Sequence, residues 1–122
     1  MSHRAIVISA LLAACAAAPV SLNKAGERVQ VGKGDPDRSQ YEEIGPIEAQ
    51  HGSGCGMYGS VGTYEGAYTQ LRNAAAEKGA DYVELISTRE PYNDGRCAHN
   101  DYVMRGIAFR SKSSAQPAAL KK

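Results

Sequence analysis

The stretch TYEGAYTQLRNAAAEKGA, residues 63–80, is the clearest element in this chain. Tyr64, Ala67, Tyr68, Leu71, Ala74 and Ala75 fall at helical spacing on one face. Thr63 stands where an N-cap belongs, and Glu65 lies in the first turn, where the helix dipole favours an anion. Gly79 supplies a C′ stop. No second stretch carries the same period. A single helix of this length needs another layer to cover its apolar stripe, and strands must supply it.

Four strand signals surround the helix. Residues 27–31, ERVQV, alternate polar and apolar. KGDPDRS then breaks the pattern with turn chemistry. Residues 40–49, QYEEIGPIEA, form a second strand with Tyr41, Ile44 and Ile47 as its apolar positions. The spacing of three disturbs strict alternation, so Gly45-Pro46 is read as a bulge or an edge. Residues 81–88, DYVELIST, and 101–109, DYVMRGIAF, are the third and fourth strands. The link between them holds Pro91, NDG and Cys97. The expected fold is α+β: a small β-β-α-β-β domain with one helix packed on a mixed four-stranded sheet.

That order has a consequence for the cysteines. The segment from the second strand through the helix to the third is long enough for a parallel crossover. If those strands are parallel, the loops leaving their C-terminal ends lie at one edge of the sheet. HGSGCG leaves one end and RCAH the other, so Cys55 and Cys97 are expected at the same pole.

The N-terminus reads as a targeting segment. MSHR is a short basic stretch, and AIVISALLAA is an apolar run of ten. A bilayer span needs about 20 apolar residues, whereas a signal peptide's apolar region is about this long. LAAC, ending at Cys15, has the form of a bacterial lipobox. On that reading residues 1–14 are removed, and Cys15 carries a diacylglyceryl group on sulfur and a further acyl chain on its amine. Several chains anchor stably where one does not. Ala16 follows where Asp would direct retention at the inner membrane, which points to the outer membrane, facing the periplasm. Residues 15–26 read as the acylated terminus and a tether, of which the last eleven would span roughly 17–20 Å. Residues 111–122 read as a disordered polar tail, leaving 27–110 as the folded domain.

Composition narrows the partners. With 14 basic and 13 acidic side chains, the chain lacks the clustered positive charge of a nucleic-acid binder. It has no Trp and one Phe, so its small core gains from a staple.

The run Y..LRNAAAEKGADYVEL, with one Cys before the helix and one before the last strand, resembles the YajI-like bacterial lipoproteins, a family of unknown function. It is more distantly similar to the outer-membrane lipoprotein that senses envelope stress for the Rcs phosphorelay. The resemblance covers about residues 28–110 and the lipobox. It implies a periplasm-facing, cystine-stapled domain on a lipid anchor, with no catalytic residues. The Rcs sensor has two disulfides, and this chain allows at most one, so its partners are not carried over.

Three readings of the Cys/His loops follow. In the first, Cys55 and Cys97 form a disulfide, as the two thiols left over in an oxidising compartment; closing about 42 residues stabilises by roughly 4 kcal/mol in the chain-entropy model. In the second, His51, Cys55, Cys97 and His99 bind a transition metal, although a mixed pair on each loop is not the usual zinc spacing. In the third, a reactive thiolate makes a redox enzyme, but no C-x-x-C is present. The glycine run matches neither a nucleophile elbow nor a phosphate-binding loop. Adjacent Glu42 and Glu43 face opposite ways on a strand. The expected function is therefore a non-enzymatic envelope lipoprotein with a structural, binding or sensing domain. Its expected partners are the membrane, through the anchor, and an unidentified envelope protein. No cofactor or small-molecule substrate is implied.

Overall fold

The computed structural model describes residues 16–115; Cys15 and the signal segment lie outside them. Strands β1 (Gln30–Gly32), β2 (Tyr41–His51), β3 (Tyr82–Arg89) and β6 (Tyr102–Ser111) form one sheet in the order β1-β3-β6-β2. Helix α1 (Tyr64–Glu77) packs on it. The link between β3 and β6 folds into a small hairpin, β4 (Tyr92–Asn93) with β5 (Ala98–His99). The chain is α+β with a mixed sheet, as expected. β1 is parallel to β3, while β2 and β3 are each antiparallel to β6. β2 and β3 therefore run the same way, with β6 between them.

Helix α1 is bounded by the chemistry its sequence carries. Thr63 Oγ1 accepts from Gly66 N–H at 3.0 Å, satisfying one orphan donor of the first turn. At the other end Gly79 has φ +77°. Gly79 N–H donates to Ala76 O and Ala80 N–H to Ala75 O, which is a Schellman close. Ala67, Leu71 and Ala75 are fully buried against Ile47, Ala49, Val83, Met104 and Ala108. Burying a leucine such as Leu71 is worth about 2–3 kcal/mol. Tyr64, expected on this stripe, is half exposed at its rim, stacked on Tyr68 and edge-on to Tyr102.

In β2 the register shifts between Glu43 and Gly45. This bulge explains the spacing of three, because an extra residue returns Ile47 to the face that Ile44 already occupies. Glu42 pairs with Arg110 and Glu43 with Arg38, so the two carboxylates have separate partners. Phe109 is fully buried, although its neighbour Ala108 is the one that joins the helix-side core. It lies on the other face, against Tyr82, with the Arg38 guanidinium 4.8 Å from its ring centre.

Several boundaries differ from expectation, and the second strand runs on past Ala49 to His51. The first strand starts later, because Gly26–Arg28 is a 3-10 turn. Asn23 Oδ1 accepts from Gly26 N–H, and the Arg72 guanidinium binds the carbonyls of Glu27 and Val29. The last strand continues to Ser111, and Lys112 N–H donates to Gln40 O. Lys112–Ala115 then makes one helical turn, so these residues of the expected tail are structured, while 116–122 fall outside the described residues. Finally, residues 16–26, expected as a tether, lie along the domain. Ala16 bridges to Val61, and Asn73 holds Ser21 O and Asn23 N–H.

Candidate functional site: the cystine pole

β2 delivers His51 to one end of the sheet, and residues 52–62 turn back from it. Ser53 and Ser60 exchange both backbone hydrogen bonds at 2.8 Å, making a tight ladder with Cys55 and the 3-10 turn Gly56–Tyr58 at its tip. β3 sends the β4–β5 hairpin to the same end. Cys55 and Cys97 are joined there in a disulfide, with Cα atoms 5.5 Å apart and 42 positions apart in sequence. That separation is the usual one for a cystine. The backbone bridge between Cys55 and His99 sits beside it.

Asn100, one residue past β5, clamps the tip. It is 5% exposed. Its Nδ2 donates to Gly56 O at 2.8 Å, its N–H donates to Gly54 O, and its carbonyl accepts from Gly62 N–H at 2.7 Å. Sequence reasoning passed over Asn100. An Asn before a strand carries no marker of its own, and its partners lie about 44 residues away. Part of the glycine run also answers to this packing. A Cβ on Gly62 would stand 1.7 Å from His51 O, so only glycine lets the two backbones approach this closely.

The two histidines have different surroundings. His51, expected as a solvated loop residue, is 6% exposed. It ends β2 with the inward parity of Ile47 and Ala49. Nδ1 accepts from the Thr63 backbone N–H at 2.9 Å, which leaves the ring hydrogen on Nε2 to donate to Ala18 O at 2.8 Å. The imidazole thus ties the helix cap on one side to the N-terminal segment on the other. Gly66 makes room for it, since a Cβ there would lie 2.1 Å from Nδ1. Next to this ring is a cleft of about 290 Å³ lined by Pro19, Val20, His51, Thr63, Glu65 and Thr69, among others.

His99 is more open. Its Nε2 lies 2.9 Å from Asp94 Oδ2, and its ring stacks on Tyr92 at 4.5 Å between centres. The Arg89 guanidinium covers Tyr92 at 5.0 Å. Asp94 also accepts from the N–H groups of Arg96 and Cys97. The His99 hydrogen bond first, and these two backbone donors next, hold its carboxyl down at about 2.

The chemistry available at this pole follows from these partners. Both sulfurs are committed to the cystine, so neither presents a thiolate to a metal or a substrate. Both nitrogens of His51 are hydrogen-bonded away from the sulfurs. Among the described residues, no group of three or more His, Cys, Asp and Glu side chains is placed to hold a metal ion. The topology that brings the cysteines together thus leaves the four candidate ligands with other partners. No protein-family model matches this chain, and no curated protein matches it.

Proposed function

We propose that this chain is a lipid-anchored protein of the bacterial cell envelope. Its domain is a non-enzymatic structural, binding or sensing module held at the outer membrane on Cys15 and facing the periplasm. The observation that carries this reading is the pairing of Cys55 with Cys97. Of the three cysteines in the chain, that pairing sets aside the one that ends LAAC. A cystine also belongs in an exported protein rather than a cytosolic one. No helix of the described residues is long and apolar enough to cross a membrane; in this reading attachment comes from acyl chains on Cys15. The envelope partner of the domain is a protein of unknown identity.

Labelled palmitate tests the anchor. The wild-type chain incorporates it and fractionates with outer membranes. Cys15→Ala incorporates none and is recovered in soluble periplasm. Equal labelling of the two chains would sink the reading. So would free thiols at Cys55 and Cys97 in protein taken from the envelope.

A further inference from the structure

Resting on the lipid-anchor reading, we infer that the tip of the 52–62 loop is a membrane-contacting surface. The domain lies with this pole against the bilayer, and Met57 and Tyr58 enter the headgroup region beside the acyl chains.

The first observation is exposure on a rigid support. Tyr58 is 94% exposed and Met57 is 77% exposed, and both stand on the single turn Gly56–Tyr58. This turn is not a loosely held loop. The cystine, the Ser53–Ser60 ladder and the two Asn100 hydrogen bonds to Gly54 and Gly56 brace it from three sides. The fold therefore holds a large aromatic and a methionine out in solvent, at a fixed place.

The second observation is where the anchor must start. Ala16 bridges to Val61, with Ala17 N–H donating to Val61 O at 2.9 Å. Val61 sits at the base of the same loop and is itself 44% exposed. Cys15 is one peptide bond from Ala16, and bridged strands lie about 5 Å apart. Val61 is three residues from Tyr58, at most about 10 Å of chain. Ala16, to which Cys15 is covalently joined, is thereby held within about 15 Å of the loop tip. The slack that a flexible tether would have given is taken up by the contacts of Ala16, Ala18, Ser21 and Asn23 along the domain.

The third observation is charge. Residues 52–64 contain no Lys, Arg, Asp or Glu, and neither do residues 16–23. Pressing this pole onto a membrane desolvates no ion from either segment. Charged groups next to these segments or on the neighbouring hairpin, Lys24, Glu65, Asp94 and Arg96 among them, are of mixed sign. Contact therefore depends on apolar insertion and not on attraction to anionic lipid. Tyrosine suits that role, with an apolar ring and a wet hydroxyl at headgroup depth.

The chain has no tryptophan, so one substitution places a unique fluorophore. The full acylated chain carrying Tyr58→Trp is reconstituted into phosphatidylethanolamine–phosphatidylglycerol vesicles, with lipids brominated near the headgroup end of the acyl chains. Glu77→Trp, at an exposed position at the opposite end of α1, is the reference. Tyr58→Trp is expected to show blue-shifted emission and about two-fold quenching, with Glu77→Trp unchanged. Met57→Trp serves as a second reporter at the same tip and is expected to behave like Tyr58→Trp. If the vesicles retain the chain but the tip reporters match Glu77→Trp, the inference is overturned and the anchor stands. If the vesicles do not retain the chain, the anchor fails and the inference fails with it. If the tip emission shifts only in native outer-membrane vesicles, a protein covers the tip, and lipid contact is overturned.

Discussion

His51 and His99 each stand within four residues of a cysteine in the same cystine, yet they occupy two different kinds of environment. His51 ends a long edge strand of the main sheet and continues the inward alternation of Ile47 and Ala49. Its ring is enclosed by α1 and the N-terminal segment, with both nitrogens in hydrogen bonds. His99 ends a two-residue strand of a hairpin outside the main sheet and pairs with an exposed aspartate. The difference shows that proximity to a cystine does not decide what a histidine does. The element that carries it decides. A residue on the main sheet inherits a buried face, and one on the hairpin inherits only local partners.

The largest test removes what the two sides share. Cys55→Ser with Cys97→Ser is expected to lower stability by about 4 kcal/mol in urea unfolding, from the loop the cystine closes. It also divides the two sides. In hydrogen exchange the amides of Arg96 and Cys97, held only by Asp94 within the hairpin, are expected to lose protection. The Thr63 amide, held by His51, is expected to keep it. Equal loss at both would show that the cystine supports the His51 side as well, and the contrast drawn above would collapse.

Next comes His51→Ala, expected to destabilise by about 3 kcal/mol, because it leaves a buried void and strands both Thr63 N–H and Ala18 O. The N-terminal segment is expected to loosen with it, read as faster proteolysis within residues 16–26. Thr63→Ala removes the cap to Gly66 and the hydroxyl's 3.3 Å contact with His51 Nδ1, but leaves the Thr63 N–H on His51, and is expected to cost about 1 kcal/mol. A smaller loss for His51→Ala than for Thr63→Ala would mean that the imidazole is a passenger of the cap and not its support.

Much of the fold was legible where a local cause acts alone. Thr63 and Gly79 end the helix through their own side-chain and backbone chemistry, and the bulge at Gly45 follows from the spacing of Ile44 and Ile47. The meeting of Cys55 and Cys97 was legible too, since it needs only two strands running the same way. Hidden were the features that depend on a distant partner. Nothing in AAAPVSLNKAG separates a tether from a segment bound by Asn73 and His51, because those contacts go to backbone groups that every residue has. Phe109 appeared as one apolar residue at the end of a strand, and its second face was covered by Arg38 and Tyr82 from elsewhere in the chain. His51 did carry a signal: extending the second strand by two residues puts it on the Ile47–Ala49 face. A strand ending at Ala49 leaves the histidine in a loop, and only the two further residues of β2 carry it to the buried face.

The smallest effect is expected on the His99 side. Asp94 is solvent-exposed, so its contacts are screened by water, and His99→Ala is expected to leave urea unfolding at neutral pH nearly unchanged. The Asp94 carboxyl is what moves. In the folded chain it is lowered from 3.8 to about 2. A carboxyl lowered on folding contributes stability above its unfolded pKa, and that contribution disappears as pH falls from about 4 through about 2. An NMR titration of the Asp94 side chain is expected to give a midpoint near 2 in the wild type. In His99→Ala the midpoint is expected to rise towards the ordinary value without reaching it, because the N–H donors of Arg96 and Cys97 remain. An unchanged midpoint would assign the whole shift to those two donors. His99 would then be held only by its stacking on Tyr92, and the contrast with the doubly bonded His51 would be sharper than drawn.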